Sequence, residues 1–170
     1  MTHKNKKLLT QVFTWALFFI IVLESCGQKN NSITPSSLLG KWTAQKVEGK
    51  HFYNDFSEAM SATMPQEGDY IMFEQEMSGS SGKFSTVQYG MNESGTWEYD
   101  EKEQLLTITY TSFEPHFIIF RKVDKATKDE LVLTEDDELI KKWVAVNHIM
   151  EDSPKKIVGG NLYESYIKSQ

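Results

Sequence analysis

From Lys41 onward the chain is a run of short segments rich in β-branched and aromatic residues, broken by turn formers roughly every eight to twelve positions. That rhythm restricts it to an all-β sandwich or barrel. The expected strands are Trp42 to Glu48, Asp69 to Met77, Lys83 to Tyr89, Gly95 to Tyr99, Gln104 to Thr111, His116 to Val123, Glu130 to Thr134 and Leu139 to Ile149. Alternation is plainest where Leu106, Ile108 and Tyr110 oppose Thr107, Thr109 and Thr111, the pattern of a half-buried antiparallel strand. The connections Ser78–Gly82, Met91–Ser94, Asp100–Glu103 and Lys125–Asp129 are short and polar, so sequence neighbours are expected to pair as hairpins.

Two segments fit this count less simply. Between Asn54 and Met64, a capping asparagine precedes Phe56, Met60 and Met64 at helical spacing, which predicts a short helix between strands 1 and 2. In the eighth segment Thr134 with Asp137 imitates a capping box, and Leu139, Trp143, Val146 and Met150 recur at helical intervals. The aromatic and β-branched run Trp143–Val146 favours a strand there, and it is counted as one. Residues 151–170 form a C-terminal extension with a Gly159–Gly160 break and room for a short terminal helix.

The chain begins with a basic segment containing Lys4, Lys6 and Lys7, then runs through sixteen mostly apolar residues from Leu8 to Leu23. That order is the layout of an export signal helix over residues 1–25. The apolar run is short for a membrane span, which needs about 20 such residues. Cys26 is the single cysteine, so no disulfide can form within the chain, and the polar stretch after it offers nothing to bury a thiol. Leu23, Ser25 and Cys26 resemble the lipobox of bacterial lipoproteins, with Glu24 departing from its usual small or apolar residue. The resemblance implies that Cys26 is lipidated and becomes the mature N-terminus. It also implies a protein anchored by acyl chains in the bacterial envelope, at the outer membrane on its periplasmic or surface side. Residues 26–37 then read as a lipidated cysteine and polar tether.

Removing residues 1–25 takes away three lysines and Glu24, leaving fifteen basic against twenty-three acidic side chains, a net charge of about −8. Basic pairs are limited to Arg121-Lys122, Lys141-Lys142 and Lys155-Lys156. Such a balance argues against nucleic acid, whose phosphates require clustered Lys and Arg. The remaining residues suffice for one domain with its own core.

The segment Ser37–Val47, "SLLGKWTAQKV", turns at Gly40 and enters the first strand at Trp42. With the antiparallel segments that follow, it resembles the Gly-x-Trp start of lipocalins and their calycin relatives, especially the small lipocalin-like domains attached to bacterial lipoprotein signals. The resemblance implies an eight-stranded up-and-down barrel over residues 38–150, with Gly40 and Trp42 forming the floor. It further implies a late cation stacked on that tryptophan, for which Lys141, Lys142 or Arg121 are available. Eight strands close a barrel wide enough for one small ligand. Lipocalins keep a long loop over the open end, and here Phe52, Phe56, Met60 and Met64 occupy that place as a candidate ligand lid.

Catalytic patterns are missing. The histidines have no ligand spacing, and no metal site is expected. Glu135–Glu138 lacks the alternation of a calcium loop and reads as a hairpin tip. "GSSG" is a turn rather than a nucleophile elbow. No phosphate loop appears, so neither a cofactor nor an enzymatic activity is expected. Two functions remain: an envelope lipoprotein whose barrel binds a small apolar molecule or lipid, or a non-enzymatic interaction or accessory module with a filled core and no ligand.

Overall fold

The structure, a computed structural model, describes residues 33–61, 64–76, 79–149 and 152–169. The expected signal helix over residues 1–25, the lipidation site Cys26 and the tether as far as residue 32 lie outside these residues. A short helix α1 (Pro35–Leu38) leads into β1 (Gly40–Tyr53), β2 (Glu58–Ser61), β3 (Tyr70–Gln75), β4 (Ser81–Gln88), β5 (Met91–Asp100), β6 (Leu105–Tyr110), β7 (Phe117–Ala126) and β8 (Glu130–Glu135). Helix α2 (Asp137–Val146) and β9 (Ile157–Lys168) complete the order. Neighbours pair antiparallel from β3 through β9, β1 pairs with β3, and β9 returns to β1. The result is a closed, up-and-down, eight-stranded barrel with β2 as an additional strand on β1.

Closure depends on the chain's end. β9 pairs with β1 from Trp42↔Lys168 to Tyr53↔Ile157, with bulges between Ala44 and Lys46 and between Phe52 and Tyr53. The barrel therefore extends past residue 150, and the segment expected as a C-terminal extension is its closing wall. The segment expected as the eighth strand is helical instead. Asp136 accepts hydrogen bonds from the Glu138 and Leu139 amides, both at 3.0 Å, capping a helix whose Ile140 and Trp143 are buried one turn apart. Phe120, on the outer face of β7, packs in the same cluster. At the other end, Asn147 imitates a strand residue: its side chain accepts from the Ile118 amide at 2.7 Å and donates to the Ile118 carbonyl at 2.6 Å. Burial of one face plus two side-chain caps outweighs the strand preference of Trp143 to Val146.

The helix expected over Asn54–Met64 is a turn and a strand. Tyr53 and Ser57 close the turn through their backbones at 2.9 Å, and Phe56 takes a left-handed φ of 62°. Hydrogen bonds from Ser57 and the neighbouring Lys155 hold the Asp55 carboxyl down at about 2. β2 then pairs Lys50↔Ser61 and His51↔Met60. The free edge of the long β1 supplies backbone partners to a segment that had no apolar face to sit on as an isolated helix.

At the Gly40 end, Trp42, α1 and a lysine from β9 close the barrel. Trp42 is fully buried, and its Nε1 donates to the Leu38 carbonyl at 2.7 Å, so α1 closes the barrel beneath it. Lys168, from β9, places its Nζ 4.0 Å from the Trp42 ring and also donates to the Leu39 carbonyl. Gly40 has φ +105°, and a Cβ there would lie 2.6 Å from that Nζ, so the position needs glycine. Lys141 and Lys142 lie on α2, the latter over Phe120, and Arg121 is engaged elsewhere. Above the floor, Phe73, Trp97, Tyr99, Leu106, Ile108, Leu131, Leu133 and Tyr166 are buried to within 1% of full occlusion. Side chains lining a water-sized void would retain accessible surface, so this half of the barrel is solid.

Ending the chain at residue 150 should therefore abolish cooperative folding, not merely trim a tail. Circular dichroism melting checks this: a sharp transition in the truncated chain would contradict β9 as an essential wall.

Candidate functional site

Strand alternation sends Ile119, Arg121 and Val123 of β7 inward, and likewise Leu131, Leu133 and Glu135 of β8 and Glu164 and Tyr166 of β9. Three charged side chains thereby meet inside an apolar barrel. Arg121 Nε donates to Glu164 Oε2 at 3.1 Å, and Nη1 lies 3.0 Å from Glu135 Oε1. The second contact is an ion pair without hydrogen-bond alignment, because Glu135 Oε1 has no hydrogen-bond partner. Nη1 instead donates to the Phe120 carbonyl at 3.1 Å. From β1, His51 brings Nε2 to 3.2 Å of Glu135 Oε2.

Burial opposes the charge on Arg121, but the Glu164 and Glu135 carboxylates outweigh it and raise its pKa above the usual value. Burial raises Tyr110 and Tyr166 above the ordinary phenol range, with Arg121 opposing and Glu164 reinforcing the shift in each. Tyr166 also hydrogen-bonds Glu164. Burial raises Tyr99 as well.

Helix α2 covers this end. The Trp143 ring stands 5.7 Å from His51 and 5.9 Å from Phe117. His51 Nδ1 and Trp143 Nε1 are both buried without a hydrogen-bond partner. Phe117 continues through Phe113 and Tyr110 to Phe84, a chain of rings with centroids 5.2 to 6.3 Å apart.

The outward neighbours of these residues make a second feature. Phe52 follows His51 and Asp136 follows Glu135, and both point away from the barrel into a cleft of about 810 Å³. Phe52, Phe56 and Val158 form its apolar walls, and Asp136, Asp137 and Glu138 its lip. The start of α2 can lie this close because β9 presents glycine: a Cβ on Gly159 would meet Asp137 Oδ1 at 2.4 Å. That same oxygen accepts the Gly160 amide at 2.6 Å.

Of the expected lid, Phe52 and Phe56 come together in this cleft, outside the barrel rather than over its mouth. Phe56 is 85% exposed. Met64 is exposed on the connection to β3 and does not line the cleft, while Met60 lies in β2 opposite His51. The expected hairpin tip Glu135–Glu138 is instead one inward carboxylate, one helix cap and two lip residues. Among the described residues, no group of three His, Cys, Asp or Glu side chains is placed to hold a metal ion. His51, Glu135 and Glu164 were missed because segment polarity was read in place of phase. A charge two positions from a buried apolar neighbour, as in Leu133-x-Glu135 and Glu164-x-Tyr166, is the signal that finds them.

No protein family, curated protein or solved structure matches the chain.

Removing Arg121 strands two carboxylates inside the barrel. Arg121→Ala should cost roughly 3 to 5 kcal/mol, whereas replacing Arg121, Glu135 and Glu164 together by apolar residues of similar volume should cost far less. Urea titration of both variants decides it, and equal losses would contradict the charge argument. The tyrosines give a pH prediction. Their folded pKa values are raised, so their contribution to stability is complete below the unfolded value near 10 and is lost as pH climbs above it. Phenolate absorbance should therefore show some tyrosines ionising only together with alkaline unfolding.

Proposed function

We propose that the protein is an envelope lipoprotein acting as a non-enzymatic binding module, and that it takes its ligand or partner at the helix-capped end of the barrel. The basic start, the apolar run and Cys26 support the anchor. The observation that carries the binding site is the contrast between the two ends. The floor end is solid, closed by Trp42 and α1, and its turns 101–104 and 127–129 are polar. At the other end, Phe56, Tyr89, Met91, Phe113, Val146 and Val158 are exposed on three turns, the end of α2 and the start of β9. Among the described residues, six of the nine exposed large apolar side chains lie at this end, and apolar surface concentrated there marks an interaction site, while the cleft has the size of small-ligand sites, which run about 300 to 1,000 Å³.

The packed floor half favours a filled-core module over a ligand held deep in the barrel. The apolar character expected of the ligand is retained at the cleft.

Two measurements test the reading. Cys26→Ala should release the protein from membranes, and retention there would favour a spanning helix. Nile red should bind with saturation, and Phe56→Ser should weaken it about fivefold through loss of roughly 1 kcal/mol of apolar contact. Phe56 is exposed, so the substitution spares the core. An unchanged affinity would remove the cleft from consideration.

A further inference from the structure

We infer that the cleft selects a small molecule bearing a protonated amine on an apolar body, an inference that rests on the cleft being the binding site. The acidic lip is only partly explained by the helix it begins. Asp136 is consumed as the cap, its Oδ1 accepting from the Glu138 and Leu139 amides, and Asp137 Oδ1 holds Gly160. The Glu138 carboxylate serves neither purpose. None of the ion pairs among the described residues involves Asp136, Asp137 or Glu138, although the same turn region pairs Lys155 with Asp55 and Lys50 with Glu58. Lys155 and Lys50 are thus spent on other carboxylates and Lys142 lies over Phe120, so the lip keeps its negative charge.

The apolar walls stand directly against that charge. Phe52, Phe56 and Val158 line the same space as the carboxylates. Apolar surface accepts an aliphatic or aromatic body. The two phenylalanine rings also favour a cation over their faces, within about 6 Å of a ring centroid. An anionic head would face repulsion from three carboxylates, and a neutral hydroxyl would gain a hydrogen bond without the ionic attraction. No arginine, lysine or histidine lines the cleft to reverse this preference.

The test is calorimetry of the full chain in nanodiscs with three ligands of one skeleton: 2-phenylethylammonium, 2-phenylethanol and phenylacetate. The ammonium should bind about fivefold tighter than the alcohol, the upper range for solvent-exposed pairing, with phenylacetate weakest. Raising salt should erase the difference, because exposed charges are screened. Asp137→Asn with Glu138→Gln should reduce the ammonium preference to the small remainder that Asp136 supports, while alcohol binding stays as it was. Asn still accepts the Gly160 amide, and the cap Asp136 is left alone. Equal binding of all three ligands, or an ammonium preference undiminished by the double substitution, overturns the charge inference and leaves the cleft standing. Binding of none overturns both.

Discussion

Arg121 holds the barrel to one arrangement. Its guanidinium faces inward from β7 and meets Glu135 on β8 and Glu164 on β9, while His51 on β1 reaches Glu135. These four strands are consecutive around the wall, and the last pair is the seam where the chain's end meets its beginning. Buried ion pairs contribute little net stability, since removing charges from water offsets most of their attraction. Their effect here is on register. A one-residue slip of β9 would turn Glu164 to the outer wall and Tyr166 with it. Arg121 would then keep one carboxylate, and the barrel would lose a buried tyrosine from its interior.

The rest of the molecule is arranged about this layer. Below it, large apolar side chains fill the barrel down to Trp42, where α1 and Lys168 close it. Above it, the polar interior cannot be sealed by apolar packing alone, and α2 lies across with Trp143 over His51. The helix brings its own carboxylates outside, so one short segment, Glu135 to Glu138, supplies charge to both surfaces of the wall. Inward and outward roles are assigned by a single step along the chain.

The strand rhythm made the architecture legible, and seven of the eight anticipated segments fall on observed strands, although β5 begins at Met91, inside the segment Met91–Ser94 expected as a connection. The eighth was misplaced because Leu139–Ile149 carries strand-like residues at helix-like intervals. Only burial against Phe120 and the caps at Asp136 and Asn147 decide between the two. The true closing strand was hidden by Gly159 and Gly160, which read as a break but serve as points of close approach to α2 and β1. Lys168 escaped notice for a related reason: a cation for Trp42 is sought near the last strand, and the closing strand starts at Ile157, whereas the segment expected to supply it starts at Leu139. The cleft was half visible. Phe52 and Phe56 were singled out, but Asp136 to Glu138 became their neighbours only through a chain reversal that no local pattern encodes.

β2 has a consequence beyond filling a connection. β1 is 14 residues long, yet it pairs with β3 only over Gly40 to Thr43, so its upper half would present bare backbone to any passing strand. Such an edge invites other chains to add to the sheet and aggregate. β2 covers it over Lys50 to Phe52 with four residues and places Glu58 beside Lys50 at 2.7 Å. The new outer edge is too short to seed much further pairing. That small strand leaves a neighbouring copy only a four-residue edge on which to extend the sheet.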